Sequence, residues 1–366
     1  MIVAGESSGD LHGGSLAEQL RRLAPDRPLV GIGGERMAAA GVELLEDVDN
    51  LAVMGFVEVL AHIPKHWALL RRLRQRLASG RVGVVIVIDY PGFNLKLASA
   101  AKALGIPVLY YVTPQVWAWG AGRLPKIAEV VTKAAPILPF EEKLLRDHGI
   151  DAEFVGHPLL DRALDLPSRE AARSALGLAL DRPLLALFPG SREQEIRRHL
   201  DDFLATGEEM QRRVPSLQVV VSVAPTIELA GERVPFPMIR GASFPLLRGA
   251  DAAMCKSGTT TLEAAVAGCP LVVAYRTNAL TYMLARRLVK IPHIGLVNVV
   301  AGREVAREFV QDALNVRDVA DELERLITPR SVRRVEVLRG LEEVRGRLGT
   351  PGAAERVARM TLGMAW

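Results

Sequence analysis

The chain has 366 residues, of which 49% are hydrophobic, and a formal net charge of +4. This length accommodates two domains of ordinary size, and the sequence contains neither a low-complexity tract nor the repeat of a solenoid protein. Its two cysteines, Cys255 and Cys269, are too few for a disulfide framework or a four-cysteine metal site. No apolar run reaches the roughly 18 residues that a membrane span requires. We therefore expect a soluble or peripheral protein in a reducing compartment, whose clustered arginines suit anionic ligands or an anionic membrane surface.

Strand-like and helical segments alternate along the chain. The first series of predicted strands is Met1–Ala4, Leu29–Ile32, Val82–Ile88, Val108–Val112, Val130–Leu138 and Glu153–Val155. Helical patterns between them include Leu11–Leu23, His66–Ala78 and Leu95–Leu104. A second series of predicted strands is Leu184–Phe188, Gln218–Val223, Met238–Ile239, Ala252–Cys255 and Leu271–Tyr275. A polar, proline-punctuated stretch at 158–183 separates the two series.

This alternation predicts an α/β fold in which two Rossmann-like, doubly wound domains face a central cleft. We expect the first domain to span 1–160 and the second 161–366. The last helices of the chain can pack back on the first domain. Because ligands of such sheets bind beyond the carboxyl ends of the strands, the loops after the strands are the places to seek chemistry.

Two loops of the first domain carry acidic residues. After the first strand, the segment Gly5–Asp10 (GESSGD) places Glu6 at a strand tip, although Ser7 and Asp10 also have the spacing of a helix capping box. After the apolar strand Val82–Ile88, Asp89 is a candidate general base, because a carboxylate there is costly to bury unless it is useful or partnered. The alternative for Asp89 is a turn-forming acid before Tyr-Pro-Gly.

Two loops of the second domain suit a diphosphate. Arg192, between a strand and a helix, can donate two hydrogen bonds to a phosphate, or it can pair with Glu195 on the helix surface. The segment Lys256–Glu263 (KSGTTTLE) predicts a helix N-terminus whose N–H groups and dipole favour an anion. Alternatively, Thr260 and Glu263 form a capping box that satisfies the same N–H groups.

Several motifs together resemble the lipid-A-disaccharide synthase family, in order and over nearly the whole chain. They are Gly5–Asp10, Leu51–Leu60, Ile88–Pro91, Val116–Trp119, Leu138–Glu141, Gly156–Pro158, Pro189–Arg192, Ser257–Thr259 and Asn298–Glu304. The resemblance implies a GT-B glycosyltransferase that transfers with inversion from UDP-2,3-diacylglucosamine to 2,3-diacylglucosamine 1-phosphate (lipid X) in a β(1→6) linkage. The products are then lipid A disaccharide 1-phosphate and UDP.

The resemblance also implies roles for particular residues. The expected catalytic residues are Asp89, Glu6 and Arg192. The expected donor-binding residues are Gly190, Ser191, Arg192, Ser257, Gly258, Thr259, Glu263, Asn298 and Glu304, with Glu263 on the ribose hydroxyls. The family often has a second Asp where Gly92 stands, which leaves Asp89 as the single candidate base. No metal, cofactor or nucleic-acid partner is implied, and the oligomeric state stays open, a homodimer included.

Because both implied substrates carry fatty acyl chains, the segment Leu51–Leu60 and the arginine-rich helix after it predict a membrane-docking face. Its residues are Val53, Met54, Phe56, Val57, Arg71 and Arg72. The implied location is cytoplasmic, at the inner-membrane surface. The alternative for the apolar segment is a buried core element.

Other classes of protein fit less well. The nearest alternative is another enzyme that uses UDP-N-acetylglucosamine, either the peptidoglycan lipid intermediate synthase or a 2-epimerase. The segments Val53–Gly55 and Trp117–Trp119 argue against both. A nicotinamide-dependent oxidoreductase lacks support, because no Gly-x-Gly-x-x-Gly follows a strand with an acid about 20 residues on. A non-catalytic lipid-binding protein would not require Asp89.

Overall fold

The computed structural model describes residues 1–50, 56–225, 227, 229, 233–278 and 292–364, and at 49, 56–64 and 119 it describes the backbone alone. The chain forms two compact units. The first unit is Met1–Asp161 with Gly349–Trp366, and the second is Arg162–Leu348. Each unit contains one six-stranded sheet, and all strand pairs described in the two sheets are parallel.

The first sheet has the strand order β3-β2-β1-β4-β5-β6. Its strands are β1 Ile2–Ala4, β2 Val30–Gly33, β3 Glu43–Asp47, β4 Val85–Ile88, β5 Val108–Tyr111 and β6 Lys133–Ala135. The residues of β1, β2, β4 and β5 are all buried, as expected for parallel strands that helices cover on both faces. The strand order reverses between β1 and β4, where Val3 pairs with Val87. A ligand site is therefore expected at the loops that follow these two strands.

Helices cover the first sheet. In chain order they are α1 Ser7–Leu23, α2 Glu35–Ala39, α3 Phe56–Ala78, α4 Pro91–Ala103, α5 Val116–Trp119, α6 Leu124–Val130, α7 Pro139–Arg146 and α8 Leu159–Arg162. Short 3-10 turns lie at Val48–Asn50 and Ala121–Arg123. The C-terminal helix α16, Ala353–Met364, packs against α1 within this unit.

The second sheet repeats the topology, with the strand order β12-β11-β10-β7-β8-β9. Its strands are β7 Leu184–Phe188, β8 Gln218–Val223, β9 Met238–Arg240, β10 Ala252–Lys256, β11 Leu271–Tyr275 and β12 Glu308–Val310. Its helices are α9 Arg169–Ala175, α10 Glu193–Arg213, α11 Ser243–Gly249, α12 Thr260–Ala267, α13 Leu296–Ala301, α14 Val316–Ile327 and α15 Val332–Arg347, with a 3-10 turn at Gln311–Ala313. Here the order reverses between β7 and β10, and the loops after these strands mark the equivalent ligand position.

Side-chain caps define where several helices of the second unit begin. Ser168 accepts from the N–H of Ala171 at the start of α9, and Asn315 accepts from the N–H of Asp318 at the start of α14. Each cap satisfies an N–H group that the first helical turn leaves without a partner. Helix α12 has no such cap: its N-cap residue, Thr259, makes no side-chain hydrogen bond to the first turn, as is also the case for α10, α11 and α13.

The predicted fold class is confirmed, since both units are parallel α/β sheets covered by helices. One expectation about its elements is wrong. The predicted strand at Glu153–Val155 forms no strand, and only the neighbouring Ala152 makes an isolated bridge, to Ala134. The strands β3 and β12 were not predicted, because an edge strand is half-covered and lacks a continuous apolar run. The stretch 158–183 contains two short helices, α8 and α9.

Candidate active site

The two acidic loops of the first unit meet where the strand order of its sheet reverses. Glu6 follows β1, and Asp89 follows β4. A Cβ atom placed on Gly5 would lie 2.1 Å from Cγ of Tyr90. Glycine is therefore required at this position, because only a residue without a side chain lets the Tyr90 ring lie against the β1 loop.

The backbone around Asp89 is strained. Asp89, Tyr90 and Val112 have φ angles of 44°, 46° and 53°, in the left-handed region that non-glycine residues rarely adopt. The Asp89 carbonyl accepts hydrogen bonds from Asn94 Nδ2 at 2.8 Å and from the Tyr110 hydroxyl at 2.9 Å, and the Asp89 N–H donates to the Val112 carbonyl at 3.2 Å. Strain that surrounding bonds hold in place is characteristic of functional sites. Sequence reasoning assigned no role to Asn94 or Tyr110, whose contacts depend on the fold.

The Asp89 carboxyl is set up to exchange a proton near neutral pH. Burial raises its pKa to about 6, and the negative charge of Glu6 adds to this shift. A general base is most effective when its pKa lies near the working pH. Glu6 therefore affects Asp89 electrostatically from the neighbouring loop.

The capping box considered for Ser7 and Asp10 is not formed. Glu6 is the N-cap residue of α1 without a side-chain cap, and its Oε1 accepts from the Ser8 hydroxyl at 2.8 Å. The buried Asp10 carboxylate instead accepts the N–H groups of Gly34, Arg36 and Met37 at 2.6–3.1 Å. Asp10 thus fastens α1 to the start of α2, and this leaves the first loop shaped by tertiary contacts.

A buried carboxyl holds the tryptophan segment beyond β5. Glu141, 3% exposed, accepts from Trp117 Nε1 at 3.0 Å and from the Leu138 N–H at 3.2 Å. Phe140 packs edge-on against the Trp117 ring, with centroids 5.2 Å apart. Burial raises the pKa of Glu141 to about 7, although these hydrogen bonds oppose the shift. The motifs Val116–Trp119 and Leu138–Glu141 therefore form one structural unit.

In the second unit, a pocket of about 300 Å³ lies at the carboxyl ends of β7 and β10. The residues that line it include Gly190, Ser191, Glu195, Ser243, Lys256, Gly258, Thr259 and Glu263. Five of the residues predicted to bind the donor are among them. Lys256 and Glu195 also line the pocket, and neither was predicted as a donor-binding residue. A cation directly after the predicted strand Ala252–Cys255 was the signal that could have indicated Lys256.

The start of α12 presents N–H groups to this pocket. Within the part of the chain that the structure describes, the N–H groups of Gly258, Thr259 and Thr260 donate to no protein acceptor. The predicted alternative, a capping box, is absent here, because the Glu263 carboxylate binds Arg162 at 3.1 Å and Ser243 at 3.0 Å. Unpaired N–H groups and the positive end of the helix dipole together favour an anion.

Besides Arg192, three predicted donor residues do not line the pocket. The Ser257 hydroxyl donates to the Ile294 carbonyl at 2.7 Å. Asn298 is fully buried, where its Nδ2 donates to the Ala306 carbonyl and its Oδ1 accepts the Val305 N–H. Glu304 is exposed on the loop after α13. Asn298 therefore stabilises the loop after α13.

Arg192 lies at the pocket edge and does not belong to its lining. Its side chain is 64% exposed, and its guanidinium lies 4.0 Å from Oε1 of Glu195. If Arg192 contacts the leaving diphosphate, as the sequence predicts, Arg192→Ala should raise the Kd for UDP and slow transfer, because this charge-assisted contact is lost. Titration with UDP and initial rates measure the two effects. Unchanged affinity and rate would make Arg192 a surface partner of Glu195.

The predicted membrane face is described only in part. Four of its side chains lie outside the described residues: Val53, Met54, Phe56 and Val57. Arg71 is exposed on α3. Arg72 donates to the Leu45 carbonyl at 3.0 Å and pairs with Glu46 at 3.4 Å, which ties α3 to β3. Arg72 therefore has a structural partner that the sequence did not indicate.

Among the described residues, no group of three or more His, Cys, Asp or Glu side chains is arranged to hold a metal ion. No helix in the described ranges is long and apolar enough to cross a membrane.

Solved structures share this architecture. The UDP-GlcNAc 2-epimerase of Neisseria meningitidis bound to UDP-GlcNAc superposes with a TM-score of 0.66 at 12% identity, over 99% of each chain. The glycotransferase of kitacinnamycin does so with a TM-score of 0.64 at 17% identity, over 99% of this chain and 97% of that one. At these identities the likeness concerns the fold alone, and the fold is that of the GT-B class.

Sequence comparison then identifies the family. The family model described as lipid-A-disaccharide synthetase matches residues 1–340. The chain is 43% identical to the lipid-A-disaccharide synthase of Anaeromyxobacter dehalogenans, over all of this chain and 97% of that protein. It is 42% identical to that of Myxococcus xanthus, over 99% and 96%. The chain belongs to the lipid-A-disaccharide synthase family and is a glycosyltransferase of lipid A biosynthesis that uses a UDP-sugar. These matches do not favour the alternative of a peptidoglycan intermediate synthase or an epimerase.

Proposed function

We propose that the protein condenses UDP-2,3-diacylglucosamine with 2,3-diacylglucosamine 1-phosphate (lipid X), with inversion, to lipid A disaccharide 1-phosphate and UDP. The observation that carries the donor half of this proposal is the start of α12, where three N–H groups without a protein partner among the described residues adjoin Lys256 in the pocket. The relatives named lipid-A-disaccharide synthase support the choice of acylated glucosamine substrates.

In the second unit, the donor diphosphate binds at Gly258–Thr260. The N–H groups and the helix dipole stabilise the negative charge that develops on UDP as it leaves. Glu263 binds the ribose hydroxyls. Its carboxylate is fixed by one bond from Arg162 and one from Ser243, and its remaining lone pairs can accept two hydroxyl groups.

In the first unit, Asp89 acts as the general base. Its carboxylate takes the proton of the acceptor 6-hydroxyl while that oxygen bonds to the anomeric carbon of the donor. The bond from the anomeric carbon to the diphosphate oxygen breaks on the opposite face, and UDP carries away the electron pair. Glu6 contributes by raising the pKa of Asp89, and Glu141 contributes by holding Trp117 beside β5.

The reaction is tested by incubation with the two acylated glucosamine substrates. We expect release of UDP and formation of a β(1→6)-linked disaccharide 1-phosphate, in equal amounts. Turnover of UDP-N-acetylglucosamine without an acylated acceptor would instead establish the epimerase alternative. No turnover with the acylated pair, by a folded protein that binds UDP, would show that the substrate assignment is wrong.

We also propose that the protein works in the cytoplasm, bound peripherally to the inner-membrane surface. Trp67, 55% exposed, lies on one exposed face of α3 with Arg71 and Arg74, and Lys96 Nζ lies 5.2 Å from the centre of the Trp67 ring. The spacing of four and three residues places these side chains on one helix face. An aromatic residue with cations around it suits the interface of an anionic bilayer.

The membrane proposal predicts that Trp67→Ser with Arg71→Glu lowers co-sedimentation with anionic vesicles by several-fold at low salt, because both apolar insertion and charge attraction are reduced. Arg317→Glu, an exposed site on the second unit, is the matched control and should bind as the wild type does. A thermal melt checks the fold of each variant. Full vesicle binding by the folded double variant would contradict the proposed face.

A further inference from the structure

An ion pair joins the two loops of the donor pocket. Lys256 is the last residue of β10, and its Nζ lies 2.7 Å from Oε1 of Glu195, in the first turn of α10. The two residues are 61 positions apart in the chain. Their side chains are 18% and 15% exposed, so the pair is largely shielded from solvent. It is also part of the pocket lining.

The Glu195 carboxylate contacts the loop that follows β7. Its Oε2 accepts the Ser191 N–H at 2.9 Å, and a Cβ atom on Gly190 would lie only 2.9 Å from the same oxygen. Arg192 lies 4.0 Å from its other oxygen. One carboxylate therefore faces a main-chain N–H, an ammonium and a guanidinium, which are the groups that bind phosphates in proteins.

Lys256 also adjoins the other half of the pocket. Its Nζ lies 3.8 Å from the position that a Cβ atom of Gly258 would occupy, beside the N–H groups at the start of α12. The Lys256 ammonium thus lies next to the loop after β7 and the loop after β10. Burial raises the pKa of Glu195, but hydrogen bonds from Lys256 and Ser191 outweigh this, and the net pKa is lowered. Glu195 is ionised at neutral pH, and it neutralises Lys256.

We propose that Lys256 binds the donor diphosphate, and that Glu195 is an internal carboxylate that positions Lys256 and competes with the diphosphate for it. This inference rests on the proposed function, because it assumes that the pocket binds UDP. When a diphosphate binds, the ammonium turns from Glu195 toward the phosphate oxygens. The competing carboxylate weakens the hold on UDP, which has to leave after each transfer.

The test is the affinity for UDP compared with that for uridine, measured by calorimetry at low salt. Lys256→Met should raise the Kd for UDP by about tenfold or more, because a charge-assisted contact is lost. Glu195→Gln should lower that Kd by roughly threefold to tenfold, because the amide keeps the Ser191 bond and removes the competing charge. Uridine, which lacks phosphate, should bind all variants equally. Lys256→Arg keeps the positive charge, so it should retain most of the UDP affinity that Lys256→Met loses.

The gain from Glu195→Gln should disappear when Lys256 is Met, since the carboxylate acts through the ammonium. The double variant, Lys256→Met with Glu195→Gln, removes both charges. It replaces Lys256→Met in this test if that single variant fails to fold because the largely shielded Glu195 is left without its ammonium partner. A folded Lys256→Met or double variant with wild-type UDP affinity would show that Lys256 does not bind the diphosphate. Weaker UDP binding by Glu195→Gln would show that the carboxylate supports the structure of the loop and does not compete with the diphosphate for Lys256.

These outcomes are separable from failure of the proposed function. If the wild type does not bind UDP, or if a bulky side chain at Gly258 leaves UDP binding unchanged, the pocket is not the donor site. If the wild type binds UDP and Gly258→Leu blocks this binding while Lys256→Met leaves it unchanged, only the inference about Lys256 fails.

Discussion

Asp89→Asn should lower turnover by about 100-fold or more while the affinity for UDP stays near that of the wild type. The amide cannot take the proton of the acceptor hydroxyl, whereas the proposed donor contacts lie in the other unit and are untouched. Steady-state rates with both acylated substrates and a UDP titration measure the two effects. Asp147→Asn, at an exposed carboxylate paired with Lys143, is the matched control and should keep full activity. Near wild-type turnover of the Asp89 variant would remove this residue from the mechanism.

The pH dependence provides a second test of the same residue. Because the pKa of Asp89 is raised to about 6 and the base must be ionised, kcat/KM should rise with pH through about 6 and then level off. The residual activity of Asp89→Asn should lack this rise. A wild-type profile that is flat between pH 5 and 7 would contradict assignment of the base to Asp89.

The same substitution should stabilise the protein at neutral pH. The unfolded chain ionises Asp89 near its ordinary pKa of 3.8, whereas the folded chain does so only near 6. Above about pH 6, ionisation in the folded state therefore costs roughly 2 to 3 kcal/mol, and this cost shrinks as the pH falls from 6 toward 3.8, below which both states are protonated. We expect a higher Tm for Asp89→Asn at pH 7, and a smaller difference at pH 4. A lower Tm at pH 7 would mean that the carboxylate is needed for folding.

Gly258→Leu should abolish UDP binding within the measurable range, with a loss of about 100-fold or more, because the side chain fills the proposed position of the diphosphate. The only neighbour of a Cβ atom at Gly258 within 4 Å, among the described residues, is Lys256 Nζ at 3.8 Å, so the backbone can accept a side chain. Gly258→Ala is the graded case and should weaken UDP binding less. Calorimetry with UDP and a thermal melt separate blocked binding from unfolding.

Gly346→Leu is the matched control for this steric block. Gly346 is exposed on α15, and no described atom outside its chain neighbours and the backbone of its own helix lies within 4 Å of a Cβ atom there. The same chemical change should leave UDP affinity unaltered. Wild-type UDP affinity in a folded Gly258→Leu variant would move the donor site away from the start of α12.

Much of the fold could be predicted because its signals are local. Strands such as Val85–Ile88 and Leu184–Phe188 are buried on both faces, so their runs are apolar throughout. The four predicted site loops follow β1, β4, β7 and β10, the strands at which the two sheets reverse their order. A parallel sheet places the loops after such strands at one edge. The edge strands β3 and β12 were missed because partial exposure leaves them polar residues.

The partners of the site residues could not be predicted in the same way. The sequence left capping as an alternative at both Ser7–Asp10 and Thr260–Glu263, because spacing alone cannot tell which acceptor an N–H group meets. The fold decided both cases, since Asp10 binds the N–H groups at the start of α2, and Glu263 binds Arg162 and Ser243. Asn298 was expected near the donor, and the fold shows that its amide joins α13 to the loop that follows this helix.

The sequence by itself determined the class of fold, the positions of the two pairs of loops and the family, because each depends on residues that are neighbours in the chain. Only the tertiary structure decided that Lys256 pairs with Glu195, that Glu141 holds Trp117 and that burial raises the pKa of Asp89. These contacts join residues from separate strands and helices. The distances between these residues and their shielding from water exist only once the sheets have formed. The energy of an interaction between two charges depends on both.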